Sequence, residues 1–485
     1  DRFRNGVCRS RFCAMEIAYF LRDDVHAGTP SLCVVRWILS DAATGPAASR
    51  KNISVADVTC AFLHASMEGE PPLYVIVPEG MAPPGYRCLL KVALYGTRRA
   101  SYLWGECVGT ALVDKGGFTR LKGCPQAYWH PQKNVTCCVH GDDFWSSGSH
   151  ESLVWLGVFL GEHFKVKLYT EVGPGLEQTA HFLNRELRLT RLGYELHPDR
   201  RHVKTSAKNL GLETAKPVAA PMVKDGGQKL GDVLDRLNDA DTLVYQQETG
   251  RMLYLAVDRY DVQYAVRVLA QYLKEPCRLH LLKLKHLVKY LLGTANWCWC
   301  FYWQEEPAGG IFNGWSDSDW AADAGTRKSV SSGFLCWGRH VLDFWTSGQQ
   351  VVALSSGEAE FYSAGKLIAH ALFLIYLLME MRRICRVRVW LDSSAARGIL
   401  QRAGPGRIRH LQTRFLWVQE RVKEKTVLVG AVPGAENGAD LGTKVLDGTR
   451  VRYLSKKVGL GPSPFESGEE EPARGPRTKV PRLKL

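Results

Sequence analysis

What this 485-residue chain lacks narrows it before any motif is read. It has 14 cysteines but no repeated C-x-x-C pair and no Cys/His finger spacing. That argues against a disulfide framework and against structural zinc, and for a reduced cytosolic or nuclear setting. It has no signal peptide, and it starts at Asp1 where an intact reading frame starts with Met, so it reads as a fragment or processed piece of a longer product. No apolar run is long enough to span a bilayer. The longest, Leu367 to Met379, contains His370 and reads as a buried core helix. Acid is short relative to base: 49 Asp and Glu stand against 63 Lys and Arg, leaving a formal charge of +14. A polyanion, above all nucleic acid, is the simplest partner for such a surface. What is plentiful is apolar and aromatic mass: 45% hydrophobic residues with 14 Trp, 18 Tyr and 17 Phe are enough for the cores of about three domains.

The chain is organised around Val139-His140-Gly141-Asp142-Asp143-Phe144-Trp145. Apolar residues on both sides predict two short strands joined by a tight turn, with Gly141 supplying the turn geometry. Two adjacent carboxylates at a hairpin tip repel unless solvent or a cation neutralises them, and such oxygen pairs suit Mg²⁺. Taken alone, Gly-Asp-Asp is an ordinary polar turn. A second carboxylate changes the reading. Ile53 to His64 predicts a strand running into a helix, with Asp57 inside the apolar run. A buried Asp is costly unless paired or metal-bound, although an Asp here also suits a helix cap. Asp57 and the Asp142-Asp143 pair lie about 85 residues apart. Three such carboxylates can hold two Mg²⁺ ions that activate a hydroxyl and stabilise a leaving pyrophosphate. Between them, Cys88 to Trp104 reads as a strand, a Gly96 turn and a helix start. That turn gathers backbone N–H groups with Arg98 and Arg99 into a plausible phosphate contact.

Further on, residues 31–40 and 151–164 have helical spacing, Pro71 to Pro78 reads as a strand between prolines, and several short strands fill 165–204. Residues 225–242 are polar and hinge-like, and Tyr245 to Thr294 is strongly helical. A second carboxylate set follows. Gly314 to Trp320 carries Asp317 and Asp319. Ser331–Trp337 and Val341–Trp345 read as strands. Ala353 to Phe361 opens a long helix with Ser356 as N-cap, carrying Glu358 and Glu360. Val387 to Ser393 is a strand ending at Asp392, and Asn437 to Leu441, with Asp440, opens a last helix. Asp317 and Asp319 share a strand face, so spacing does not choose between them. Glu358 and Glu360 lie on different helix sides. Glu360 is preferred because Ala364 and Leu367 continue its face in apolar residues. The order Asp, Glu, Asp, Asp on strand, helix, strand end and final helix is that of ribonuclease H, where carboxylates around two Mg²⁺ ions activate water against an RNA phosphodiester.

Two motif series carry a resemblance. Asp57-Val58-x-x-Ala61-Phe62, Leu94-Tyr95-Gly96 and Asp142-Asp143 resemble the reverse transcriptase of copia-type (Ty1-type) LTR retrotransposons. Ser316-Asp317-Ser318-Asp319-Trp320, Arg327-Lys328-Ser329, Ala353 to Phe361, Asp392-Ser393, Arg409-His410-Leu411 and Ala439-Asp440-Leu441-Gly442-Thr443-Lys444 resemble the family's ribonuclease H, over roughly residues 9–445 in all. The departures are His140-Gly141 for Tyr-Val, Ser101 and Tyr260 for proline, and a short region before Asp57.

The resemblance implies an α+β multidomain fold: a right-hand polymerase with palm, fingers and thumb, followed by an α/β ribonuclease H-like domain. The implied domains are 1–170 fingers and palm, 171–305 thumb and connection, 306–446 ribonuclease H-like, and 447–485 a disordered tail. It implies RNA-directed DNA polymerase and ribonuclease H activities. Asp57, Asp142, Asp143, Asp317, Glu360, Asp392 and Asp440 would be catalytic metal ligands. Phe62 would lie under the incoming sugar, Tyr95 and Gly96 in the nucleotide pocket, Arg11 on the triphosphate and His410 at product release. The implied cofactor is Mg²⁺, two ions per site, or Mn²⁺. The implied partners are an RNA template, a DNA primer, the RNA–DNA hybrid, dNTPs and other Pol- and Gag-derived proteins. The implied location is a cytoplasmic virus-like particle with access to the nucleus, neither secreted nor on a membrane. The rival is a decayed relic that binds nucleic acid without chemistry.

Overall fold

The computed structural model describes residues 2–4, 7–9, 12–17, 25, 28–224, 235–323, 325–406 and 416–464. The chain divides into two compact units. Among the described residues, one comprises those up to Ile38 with Lys51–Glu177; the other comprises Leu39–Arg50 and those from Gln178 onward. Both are mixtures of helix and sheet.

The first unit is built on a six-stranded antiparallel sheet. Its elements are β1 (Asn52–Val58), α1 (Ala100–Thr110), β2 (Thr119–Arg120), β3 (Ala127–His130), β4 (Val135–His140), β5 (Asp143–Gly148), α2 (His150–His163) and β6 (Val166–Val172). The strand order is β6-β1-β5-β4-β3-β2. β1 and β4 are buried along most of their length, as their runs of Ile, Val, Ala and Cys require. Trp104, Val108, Leu112, Tyr128, Phe144, Leu153, Leu156 and Leu160 pack on that sheet and close one core. The Ser149 hydroxyl caps α2 by accepting from the Ser152 N–H at 3.2 Å. The strand expected across Pro71–Pro78 shrinks to Tyr74–Val75, paired with Cys88–Leu89, because the flanking prolines offer no N–H to extend a ladder.

The second unit holds two five-stranded sheets. The first, β7 (Thr179–Phe182), β8 (Arg185–Thr190), β9 (Gly193–His197), β10 (Trp297–Tyr302) and β16 (Leu460–Pro462), is antiparallel in that order. Between β9 and β10 come α3 (Arg201–Asn209), α4 (Asp239–Ala256), α5 (Tyr260–Ala270) and α6 (Arg278–Gly293). α5, α6 and most of α4 fill the span expected to be helical, whereas α3 starts within the stretch read as short strands and α4 begins in the stretch read as hinge-like.

The second sheet comprises β11 (Ile311–Ser318), β12 (Val330–Trp337), β13 (His340–Gly348), β14 (Arg386–Leu391) and β15 (Val427–Ala431), in the order β13-β12-β11-β14-β15. β11, β12 and β13 pair antiparallel, whereas β14 and β15 run parallel to β11. The crossover to β14 is α7 (Ser356–Glu380). By length and composition α7 suits a membrane, yet 72% of its most apolar window is buried in this fold. The core-helix expectation therefore holds and extends eleven residues earlier than the apolar run. Its N-cap is Ser355, one residue before the expected Ser356, because the Ser355 hydroxyl accepts from the Glu358 N–H.

Two further expectations change. Asp440 lies on a 3₁₀ turn, Gly438–Gly442, capped by Asn437, and not on the following α-helix. The segment from 447 onward does not start as a disordered tail. Asp447 caps α10 (Gly448–Lys457), whose Val451 and Leu454 are buried, and β16 then adds to the first sheet; α8 (Ser394–Gln401) and α9 (Trp417–Lys423) precede it. Polar composition hid these elements, since only a narrow apolar stripe faces inward.

Candidate active sites

In the first unit the predicted hairpin forms as β4 and β5, closed by the His140–Asp143 pair. Only Gly141 and Asp142 lie in the loop. Gly141 sits at φ 63, the positive value a two-residue hairpin turn takes at its first position, which glycine adopts without strain. The Trp104 indole N–H donates to the Gly141 carbonyl at 2.6 Å, and the Val58 N–H donates to the Asp142 carbonyl at 3.0 Å, so the tip is held from two sides. The β1–β5 register sets Asp57 directly opposite Asp143. All three predicted carboxylates therefore meet at one end of the sheet. A bulge between Val166 and Leu168 turns Lys167 toward them, and its ammonium lies 2.5 Å from Asp57 Oδ2. Burial, then the Asp142 and Asp57 charges, push the Asp143 carboxyl up to about 6, with Lys167 opposing.

Phe62 and Tyr95 pack ring to ring at 4.6 Å beside this end. Gly96, at φ +88, lies so close to Ala14 that a Cβ would sit 1.9 Å from the Ala14 carbonyl oxygen. The basic turn differs from expectation. The Arg98 N–H donates to Glu16 Oε2 at 2.8 Å and the Arg99 guanidinium pairs with Glu70, so acidic neighbours already occupy donors expected to meet phosphate. Arg11 lies outside the described residues.

In the second unit Asp317 near the end of β11, Glu360 in the first turns of α7 and Asp392 just past β14 converge. Their donor oxygens all lie within 4.8 Å of one another. The hairpin carboxylates do not form so tight a group among the described residues. Asp317 is 2% exposed and Glu360 8% exposed, while Asp392 is half-buried, so two members of the cluster are enclosed and the third faces its mouth. Glu360 Oε2 is buried with no hydrogen-bond partner among the described residues. An orphaned carboxylate oxygen inside an all-oxygen cluster fits a hard divalent cation such as Mg²⁺. Burial, then repulsion from Asp317 and Asp392, push the Glu360 carboxyl up to about 9. Burial also raises Asp317, against the pull of Lys444.

The two open alternatives separate by contacts. Glu358 is spent structurally, accepting from the Leu354 N–H at 3.0 Å and the Tyr362 hydroxyl at 2.6 Å. Asp319 lies beyond the end of β11, and its Oδ1 accepts from the Val330 N–H at 2.5 Å. Asp440 joins the triad through a residue that motif spacing did not single out. The Lys444 ammonium lies 2.5 Å from Asp440 Oδ1 and 3.3 Å from Asp317 Oδ2, and the Thr443 hydroxyl donates to Asp317. Burial works against charge on Lys444, but Asp317 and Asp440 raise its pKa overall. The sequence signal was the Asp440-to-Lys444 spacing of four. No local signal marks Lys167, whose direction depends on a bulge. His410 lies outside the described residues.

No protein-family model matches the chain. Among solved structures, that of a foamy viral protease-reverse transcriptase in complex with dsDNA is similar, with TM-score 0.45 and 12% identity, covering 84% of this chain and 71% of that one. The sequence relatives are more particular. The chain is 24% identical over 451 residues to the retrovirus-related Pol polyprotein from transposon TNT 1-94 of Nicotiana tabacum, covering 90% of this chain and 33% of that protein. It is 27% identical over 429 residues to the corresponding polyprotein from transposon RE1 of Arabidopsis thaliana, covering 83% and 27%. The chain is thus a homologue of retrotransposon Pol polyproteins and spans about a third or less of their length.

Proposed function

We propose that this chain is the reverse transcriptase and ribonuclease H portion of a retrotransposon Pol polyprotein, with one active site in each unit. The observation that carries the reading is the enclosed triad of Asp317, Glu360 and Asp392, with its unpartnered Glu360 oxygen. A bound Mg²⁺ pair would supply a Lewis acid and an activated water or hydroxyl at each site. Asp317, Glu360, Asp392 and Asp440 would hold it in the second unit, and Asp57, Asp142 and Asp143 in the first. The chain's own residues do the rest. Phe62 and Tyr95 form an apolar floor where an incoming sugar would rest, and the Trp104–Gly141 bond keeps the carboxylate turn from swinging. Lys444 neutralises Asp317 and Asp440, which lowers the cost of burying them together.

In this reading residues 1–170 supply fingers and palm, and residues 171–305 thumb and connection. Residues 306–446 are the ribonuclease H-like domain. Template RNA, primer DNA, dNTPs and the product hybrid are the ligands. The hybrid is held through phosphates by the basic surface, so binding weakens with salt. The setting would be a cytoplasmic particle built with other Pol- and Gag-derived proteins, with access to the nucleus.

Primer extension and hybrid cleavage by the full chain in Mg²⁺ or Mn²⁺ test the reading. Wild type extends an RNA-templated primer and cuts the RNA strand of a hybrid. Asp142→Asn removes the first activity and Asp392→Asn the second. Hybrid binding without either activity, in wild type and variants alike, would make the chain a relic.

A further inference from the structure

A second group of donors lies apart from both carboxylate sites, and its chemistry is different. Glu195, His197 and Cys298 are all buried, and their donor atoms lie within 4.8 Å of one another. Register explains the convergence. β9 and β10 pair antiparallel with Glu195 opposite Cys300, and continuing that register sets His197 beside Cys298. Side chains two apart on a strand share a face. Glu195-x-His197 on one strand and Cys298-x-Cys300 on its neighbour therefore bring a carboxylate, an imidazole and two thiols to one patch. β16 flanks β10, where Cys298 pairs with Gly461, and the Ser463 hydroxyl donates to Glu195 Oε1 at 3.1 Å. No disulfide links these cysteines.

The interior of a sheet is a costly place for these groups. Glu195 is 0% exposed, and an ionised carboxylate so placed needs compensation. His197 Nε2 lies 3.1 Å from Glu195 Oε2, and Arg200 Nη2 lies 2.9 Å from His197 Nδ1. Cys300 sits opposite Glu195 on the same sheet face, just outside the three-donor group. Sulfur, nitrogen and oxygen in one small cluster form a borderline-soft set, unlike the all-oxygen sites that suit Mg²⁺.

We propose that Glu195, His197, Cys298 and Cys300 bind one thiophilic divalent cation of the Zn²⁺ class, which ties β9 to β10. On binding, the two thiols give up their protons to solvent, while the neutral His197 ring keeps its single proton and frees Nε2 for the cation. Three bonding groups then carry negative charge against the cation's two positive charges. The proton left on His197 moves to Nδ1, so the Arg200 guanidinium turns away from that nitrogen and remains beside the cluster as the balancing charge. The absence of C-x-x-C spacing, which argued against zinc, does not bear on a site built across two paired strands.

Co²⁺ is the probe. The full chain, reduced and stripped with a chelator, is titrated with Co²⁺ and its near-ultraviolet absorption recorded, and melting is followed with and without equimolar Zn²⁺. The expected result is a thiolate-to-cobalt charge-transfer band that saturates at one equivalent, and a Tm raised by Zn²⁺. Cys298→Ser should weaken the band and bind Co²⁺ at least about tenfold more weakly, and replacing both Cys298 and Cys300 by Ser should abolish the band. Cys60→Ser, which alters an exposed thiol, and Glu360→Gln should keep the band. If Cys298→Ser does not fold, the wild-type band and its stoichiometry decide the matter. No band at one equivalent, or a band that survives replacement of both Cys298 and Cys300, overturns the proposal and leaves an imidazole–carboxylate pair. Neither result bears on polymerase or hybrid-cleaving activity.

Discussion

The two carboxylate sites are made from the same residue types but differ in enclosure. On the hairpin, Asp142 is exposed and Asp57 and Asp143 are half-buried, and an exposed lysine pairs with one of them. In the second unit Asp317, Glu360 and Asp440 are buried, and a lysine bridges two of them. Solvent screens the first set, so its charges coexist at little cost. The second set is less screened, and its protonation carries the strain: Glu360 is pushed up to about 9, where Asp143 reaches only about 6. An enclosed site is organised before metal arrives, whereas an open tip is completed by its ligands.

The largest expected effect separates the sites outright. Asp392→Asn should lower hybrid cleavage by about three orders of magnitude, on the order of 4 kcal/mol of barrier, and leave primer extension within about twofold. Asp142→Asn should do the reverse. Equal loss of both activities in either variant would break the comparison.

A smaller effect concerns pH. Cation binding at the enclosed site requires Glu360 to lose its proton, so affinity should rise about tenfold per pH unit between about 6 and 8. At the hairpin, with Asp143 near 6, the rise should flatten above about pH 7. Calorimetric Mg²⁺ titrations of Asp142→Asn and Asp392→Asn isolate each site, and parallel slopes would erase the distinction. In metal-free protein the raised Glu360 pKa means the folded chain binds the extra proton. Its contribution to stability is fully present below the ordinary value of 4.5 and is lost as pH rises toward about 9.

Next in size is the contrast between the two helix carboxylates. Glu358→Ala should cost about 1–3 kcal/mol in denaturant unfolding, because it strands the Leu354 N–H and the Tyr362 hydroxyl. Glu360→Gln should abolish cleavage while raising metal-free stability at neutral pH, by on the order of 3 kcal/mol, since Gln is uncharged in both states and the folded chain no longer has to hold an extra proton. The smallest effect is Lys167→Met. An ion pair to a 58% exposed lysine should be worth under about 1 kcal/mol, read by the same unfolding experiment.

Much of this was readable from the chain. The helix expected over 31–40 is Leu32–Ala42, and that over 151–164 is α2, because apolar periodicity survives folding wherever one face meets a core. The order of the Asp and Glu residues was readable for the same reason: strand ends and helix first turns are marked locally. What sequence could not supply was pairing. The opposition of Asp57 and Asp143, the bulge that turns Lys167 and the meeting of Glu195 with Cys298 all depend on which strands become neighbours. Glu360 is the member of the pair that lies with Asp317 and Asp392, and the helix-face reasoning did not anticipate that Glu358 would be buried as well. The helix at 448–457 was missed because its apolar residues are few among many basic ones.

The most direct test of the central claim is Mg²⁺-dependent cleavage of an RNA–DNA hybrid by the full chain and its Glu360→Gln variant, with primer extension measured on the same preparations. If the enclosed triad is a metal-dependent nuclease site, wild type cuts the RNA strand, the variant does not, and both extend a primer equally. Undiminished cleavage by Glu360→Gln would contradict the assignment.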